Sequence, residues 1–183
     1  MTGTEPKATA NSPQDEMYRE AARTYGPALE RLARAYEADP DRRLDLLQEI
    51  HLAFWQSLAS FDARCSLRTW MYRVAHNVAA SHVIRDRRRN SRILVSLDEI
   101  EHFTGINDNG LVLDERHVLE KLLRLVQQLK PLERQVIVSY LEGMDAASIG
   151  EITGLSPGNV ATKIHRIKNV LTRQFHRGGS HAE

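Results

Sequence analysis

The sequence predicts an all-α protein of two helical domains joined by a flexible linker. Three observations carry that expectation. Leu, Ala, Arg and Glu are abundant and runs of β-branched residues are few, a composition that favours helix. Apolar residues recur at helical spacing both before residue 90 and after residue 114. Between these stretches, Thr104 to Gly110 is a cluster of turn formers with no sustained period.

Residues 1–14 are mostly Thr, Ala, Ser, Pro and Asn, which bury too little apolar area to offset ordering entropy, so a disordered arm is expected there. The stretch MYREAARTYGPALERLARAYEAD then carries Leu29, Leu32, Ala33 and Tyr36 at helical spacing, with Gly26-Pro27 expected to break or kink it. A second helix, from about Asp41 to Ser60, carries Leu44, Leu47, Ile50, Leu52, Phe54, Trp55 and Leu58. The loop SFDARCS turns the chain, and Ser66 offers an N-cap oxygen for a third helix reaching about Arg89. These elements form a first unit over residues 15–90. Residues 91–113 read as an acidic linker. Four further helices are expected at about Asp114–Leu129, Pro131–Glu142, Asp145–Thr153 and Pro157–Phe175, a second unit over residues 114–177 punctuated by Lys130-Pro131, Gly143 and Gly154.

Charge is nearly balanced overall, at +1 for 183 residues, but unevenly distributed. From Phe61 to Arg92, eight Arg face only Asp62 and Asp86, a local net of +6. From Ile93 to Arg116, six acids face Arg116 alone, a net of −5. From Pro157 to Arg177 there are five Lys or Arg and no acid. Two basic blocks thus flank an acidic one. Cys65 is the single cysteine, so no intrachain disulfide can form, and dispersed His leaves no zinc-binding pattern. No apolar run approaches the ~18 residues a membrane helix needs, and the polar N-terminus lacks a signal-peptide core. A cytoplasmic protein without cofactor or membrane insertion is expected. No phosphate-binding glycine loop or nucleophile motif is present, and Glu49 and His51 do not form a zinc-binding HExxH, so no enzymatic function is expected.

The clearest local geometry is ASIGEITGLSPGNVATKIHRIKNVL. A short helix ends at Gly154, Leu155 turns inward, and Ser156 caps a helix whose first residue is Pro157, the arrangement of a helix-turn-helix. At 100° per residue, Val160, Ile164, Ile167 and Leu171 share one face. Ala161, Thr162, His165, Arg166, Asn169 and Arg173 lie on the other, while Lys163 and Lys168 flank the apolar stripe, from which their ammonium groups can reach phosphates. On the third helix, RTWMYRVAHNVAASHVIRDRRR, the same wheel buries Trp70, Met71, Val74, Ala75 and Val78. Arg73, His76, Asn77, Ala80, Ile84 and Arg87 form a separate stripe. Amides and aromatics beside a basic track suit unstacked bases, and the terminal arginines suit the backbone.

Together, LDLLQEIHLAFWQSLASFDARCSLRTWMYRVAHNVAASHVIRDRRR and LKPLERQVIVSYLEGMDAASIGEITGLSPGNVATKIHRIKNVL resemble regions 2 and 4 of the bacterial sigma factors of the extracytoplasmic-function group, within the sigma-70 family. The resemblance covers about residues 18–90 and 114–175. It implies that the chain binds core RNA polymerase, through the clamp helices of β′ and the flap of β, and promoter DNA. Asp45, Leu46, Gln48, Glu49, His51, Leu52 and Trp55 fall where region 2.2 contacts polymerase. The loop Phe61 to Ser66 and the following helix fall where regions 2.3 and 2.4 melt the minus-10 element. There Asn77 matches the pocket for a flipped-out base, Ala80 and Ser81 lie nearby, and Arg73, His76, Arg85, Arg87 and Arg88 complete the minus-10 set. Ala161, Thr162, His165 and Arg166 match positions that face minus-35 bases, with Lys163 and Asn169 beside them.

In one place the chain departs from the family pattern. Where an acidic Asp-Ala-Glu-Asp run usually enters region 2.2, this chain has Arg42, Arg43, Leu44 and Asp45. An anti-sigma factor is a further candidate partner. Two other readings stay open on the residues alone: a sigma-like decoy for an anti-sigma factor, and a helix-turn-helix regulator acting without polymerase. The first need not keep Asn77 or the arginine block. The second leaves LLQEI and RTWMYRVAHN unexplained.

Overall fold

The computed structural model describes residues 12–90 and 115–177, so most of the expected arm and the expected linker 91–113 lie outside the described residues. Among the described residues the regular structure is helical: α1 (Pro13–Tyr36), α2 (Pro40–Ser57), a 3-10 turn (Leu58–Ser60), α3 (Leu67–Asn90), α4 (Glu115–Gln128), α5 (Pro131–Leu141), α6 (Ala146–Thr153) and α7 (Pro157–Arg177). The all-α expectation holds.

Helix α1 begins inside the stretch expected to be a disordered arm. Ser12 Oγ accepts from the Asp15 amide at 3.2 Å and the Asp15 carboxylate accepts from the Ser12 amide at 3.1 Å, a reciprocal cap that satisfies two donors at the helix start. The helix also runs through Gly26-Pro27 without interruption, correcting the expected break. A proline inside a helix costs about 3 kcal/mol. Ala28, Leu29, Leu32, Ala33, Ala35 and Tyr36, all buried just beyond it, offset that cost by packing against α2 and α3. Asp39 caps α2 through the Arg42 amide, and Ser66 Oγ accepts from the Thr69 amide at 3.0 Å to start α3 as expected. Leu46, Ile50 and Phe54 of α2 and Met71, Tyr72, Ala75 and Ala79 of α3 complete this core.

The second unit is organised around its helix-turn-helix. Asp145 Oδ1 accepts from the Ser148 amide at 2.7 Å to cap α6. The helix ends at Gly154, whose φ of +76° is the left-handed turn that glycine adopts without strain. Ser156 Oγ then accepts from the Asn159 amide at 3.3 Å, opening α7. Val160, Ile167, Val170 and Leu171 of α7 are buried with Ile149 and Ile152 of α6 and Val136, Ile137 and Val138 of α5. The turn is tight because a Cβ on Gly150 would stand 2.6 Å from the carbonyl oxygen of Leu155.

The two units do not stand apart. Helix α3 packs against α5 and α6, and α1 packs against α4 and α5, giving a closed arrangement that the sequence did not announce.

Gly150→Ala should destabilise the protein by about 1–3 kcal/mol, since the new methyl meets backbone that cannot swing away. Gly158→Ala, with nothing within 4 Å of its Cβ position, should be neutral or stabilise by up to about 1 kcal/mol. Urea denaturation of both variants measures this, and equal losses would refute the steric account of the turn.

Candidate nucleic-acid interface

Helix α3 carries the residues expected at the minus-10 element, and the structure divides them. Asn77 and Ser81 are exposed, Ala80 is half-buried, and Ile84 is 46% exposed. Arg73 is half-buried with its guanidinium 5.8 Å from the centre of the Trp70 ring, a cation–π distance. Arg85 is exposed and donates to Glu49 Oε2 at 2.6 Å, which ties one residue of the minus-10 set to one of the polymerase set. The side chains of Arg87 and Arg88 lie outside the described residues.

His76 does not lie on an exposed stripe. It is fully buried: Nδ1 is 2.9 Å from Tyr36 Oη, and Nε2 is 3.0 Å from Ser139 Oγ of the second unit. A helical wheel treats a helix as having one buried side, whereas α3 is covered by its own unit on one side and by α5 and α6 on another. Asn77, one residue and 100° further round, escapes the cover. Tyr72, on the same helix, is fully buried for the same reason.

At the start of α3 the aromatic residues of the loop region meet. Phe61 and Trp70 ring centres are 5.6 Å apart, and Trp70 Nε1 donates to Ser57 Oγ at 2.9 Å. Ala63 sits at φ +59°, a left-handed conformation that costs a non-glycine residue roughly 1–2 kcal/mol. Such strain persists where the surroundings impose it. Arg64 beside it is highly exposed and pairs with Asp62 at 2.8 Å, so this loop presents an ion pair next to half-buried rings.

On α2, Asp45, Gln48, Glu49, Leu52 and Trp55 of the expected polymerase set are exposed. Leu52 is 56% exposed, and an apolar side chain so exposed at the centre of a polar face suits a protein contact. His51 is half-buried with Nδ1 3.0 Å from Tyr18 Oη, and Trp55 Nε1 donates to Asp15 Oδ1 at 2.9 Å. Leu46 is corrected: it is fully buried in the core and cannot meet a partner. On α7, Ala161, Thr162, His165, Arg166 and Asn169 are all exposed, as the wheel predicted, and Asn169 Nδ2 is 3.0 Å from His165 Nε2. Lys163 is half-buried, with its charge near Glu133.

The contact between the units uses residues that no sequence pattern singles out. Arg31 grips Glu142 in a fork, Nε to Oε1 and Nη2 to Oε2, both at 2.6 Å. Tyr72 Oη donates to Glu142 Oε2 at 3.3 Å, and Arg68 donates to the Glu142 carbonyl. Arg134, 1% exposed, places its guanidinium 5.0 Å from the centre of the Tyr36 ring and donates to the carbonyls of Gln127 and Leu129. Burial lowers the Arg134 guanidinium to about 10, so it stays charged at neutral pH. The partners of Glu142 in the first unit are 70 to 111 residues away along the chain, and no periodic pattern announces such pairs.

Comparison with known proteins follows this geometry. A family model described as Sigma-70 region 2 matches residues 21–90, and one described as Sigma-70, region 4 matches residues 119–171. The chain is 27% identical over 139 residues to the ECF RNA polymerase sigma factor SigW of Bacillus subtilis (strain 168), covering 72% of this chain and 74% of that protein. It is 25% identical over 135 residues to the ECF RNA polymerase sigma-E factor of Escherichia coli (strain K12), covering 69% and 70%. Among solved structures, its fold resembles the sigma factor RpoE of Bartonella quintana, crystallised with the anti-sigma factor NepR, at TM-score 0.64 and 18% identity over 87% of this chain and 96% of that one. CnrH, solved with the cytosolic domain of CnrY, is similar at TM-score 0.59 and 23% identity over 87% of each chain.

The closed arrangement should loosen in acid. Burial pushes the His76 imidazole down to about 3, against roughly 6.5 when free. A histidine with a lowered pKa binds more protons once released, so closure is fully favoured above pH ~6.5 and weakens below it, by up to about 1.4 kcal/mol per pH unit. Tyr36 and Tyr72, both raised by burial, and Arg134 face the same contact but keep their protonation state across that range. Small-angle scattering should show the radius of gyration rising from pH 7.5 to 5.5, and His76→Gln should abolish the step. Glu142→Ala should expand the chain at every pH, and an unchanged radius would refute Glu142 as the hub.

Proposed function

The chain belongs to the sigma-70 family, in its extracytoplasmic-function group, and on that premise we propose how its residues share the work of binding core RNA polymerase, recognising a promoter and opening it. Family membership identifies a dissociable initiation factor. The finer reading, that it initiates transcription without catalysing a reaction of its own, rests on that family membership. No helix among them is long and apolar enough to cross a membrane.

The observation that carries the assignment is the exposed α7 face, Ala161, Thr162, His165, Arg166 and Asn169, presented by a helix-turn-helix at one end of a chain whose other unit exposes Asn77 and Ser81 beside a basic helix end. The α7 residues read the minus-35 element in the major groove. Asn77, with Ala80 and Ser81, receives an unstacked minus-10 base, Arg73 stiffens Trp70 beneath it, and Arg85, Arg87 and Arg88 hold phosphates. Opening duplex costs roughly 1.4 kcal/mol per step, and each captured base returns about 1–3 kcal/mol. Asp45, Gln48, Glu49, His51, Leu52 and Trp55 offer the polymerase surface. An anti-sigma factor is the further partner we propose, since two solved structures of similar fold were obtained as complexes.

The closed arrangement adds a condition. Elements centred 25 base pairs apart span about 85 Å at roughly 3.4 Å per base pair. A compact chain of this length has a radius of gyration of only about 16 Å. It must open to hold both.

Run-off transcription with core polymerase and this chain should yield promoter-specific product without additives. Asn77→Ala should reduce permanganate reactivity of the melted region while leaving polymerase binding intact. Arg166→Ala should weaken minus-35 recognition by about 1–3 kcal/mol at one base position if it makes a bidentate base contact. Equal loss on every sequence would assign Arg166 to phosphate instead.

A further inference from the structure

Arg42 and Arg43 stand where the family pattern has acids, and the structure surrounds them differently. Arg42 Nη2 lies 2.5 Å from Asp86 and 3.2 Å from Glu37, so its charge ties α2 to α3 and to the end of α1. Arg43 instead lines a cavity of about 430 Å³ together with Arg34 of α1 and Arg124 of α4. That volume falls in the range of small-ligand sites, roughly 300–1,000 Å³.

Three features make the cavity more than a solvated basic patch. None of its three arginines forms an ion pair with a described residue, and Glu120 is the one carboxylate on its lining, so an excess of unneutralised guanidinium converges from three helices. Guanidinium groups present planar forks that match phosphate oxygens in pairs. The remaining lining is also suited to a ligand: Leu123 supplies apolar surface, and Gln127 donates its amide nitrogen to the Arg34 carbonyl at 2.8 Å, leaving its amide oxygen as an acceptor. Last, the walls come from both units, since Arg34 and Arg43 belong to the first and Glu120, Leu123, Arg124 and Gln127 to the second. None of the residues assigned above to promoter or polymerase lines it.

We propose that this cleft binds a nucleotide carrying two or more phosphates, and that the bound nucleotide holds the two units closed. Three guanidinium forks exceed what a singly charged anion can satisfy, and apolar surface beside two acceptors fits a base and its ribose. A cleft that exists only while the units touch suits a small ligand better than a nucleic-acid backbone, because binding a site present only in the closed form shifts the population toward it. Any consequence for initiation rests on the function proposed above; the binding does not.

Calorimetric titration of the full chain, with no polymerase, promoter or NTP present, tests this. ADP, GDP and inorganic pyrophosphate should bind one per chain, at least about tenfold more tightly than GMP or sulfate. Saturating GDP should lower the radius of gyration at pH 5.5, where the units loosen. The double substitution Arg43→Gln with Arg124→Gln should weaken GDP by about tenfold or more while leaving helical circular dichroism unchanged. Absence of saturable binding, or equal affinity in the variant, overturns the site. Loss of affinity only for random duplex DNA, with no nucleotide saturating, also overturns it and assigns the arginines to nucleic-acid phosphates.

Discussion

One carboxylate at the end of α5 governs how this chain is arranged. Glu142 receives Arg31 as a fork, Tyr72 through its hydroxyl, and Arg68 on its carbonyl, so three residues of the first unit converge on one residue of the second. Around it lie a buried imidazole, a buried hydroxyl on Ser139 and the buried guanidinium of Arg134. Such a contact is close to energetic balance. Removing a paired charge from water costs nearly what the pairing returns, so ionic contacts of this kind hold geometry more than they add stability. Contacts between domains of one chain are typically polar for the same reason, and they part readily. The closed form is therefore well specified and reversible at once.

That reversibility explains the composition of α3. The helix has to pack within its own unit, pack against the second unit and, on the proposed assignments, present a face to DNA. Met71, Ala75 and Ala79 serve the first demand, and His76 and Tyr72 bridge toward the second through Ser139 and Glu142. Asn77 and Ser81 keep the third. The mixture of Trp, Tyr, His and Asn that looks unsuited to either core or surface is the signature of a helix with three neighbours. Polar side chains on the bridging face can return to water when the units separate, which an apolar face could not do without a large penalty.

How much of this was legible in the sequence follows from range. The caps at Ser66, Asp145 and Ser156, the turn at Gly154 and the apolar stripe of α7 are local, and reading neighbouring residues finds them. The exposed face of α7 was legible for that reason. His76 and Leu46 were misplaced because a wheel counts spacing and ignores what lies above each face. Gly26-Pro27 signals a break by its local helix cost, and the packing of Leu29, Leu32 and Tyr36 overrides that cost. Glu142, Arg31 and Arg134 carried no signal at all, since each resembles any charged residue on a helix until its distant partner is known. The departure at Arg42-Arg43 was visible, but only the structure separates a paired arginine from one that faces a cavity.

The closed form also bears on why such a factor needs polymerase. While the units touch, the chain can engage one promoter element at a time, so its affinity for a whole promoter is discounted by the fraction that is open. Core polymerase, on the proposed assignments, contacts each unit separately, through α2 of the first and through the second. Two contacts on one scaffold act at high effective concentration once the first has formed, and their joint strength can exceed the cost of parting a polar contact near balance. On the same assignments, polymerase selects the open chain and presents Asn77 and α7 at the separation DNA requires. A stronger seam would disable that selection, and a weaker one would leave both DNA-binding faces engaging phosphates without discrimination. The polar character of the contact at Glu142 and His76 places the chain between those failures.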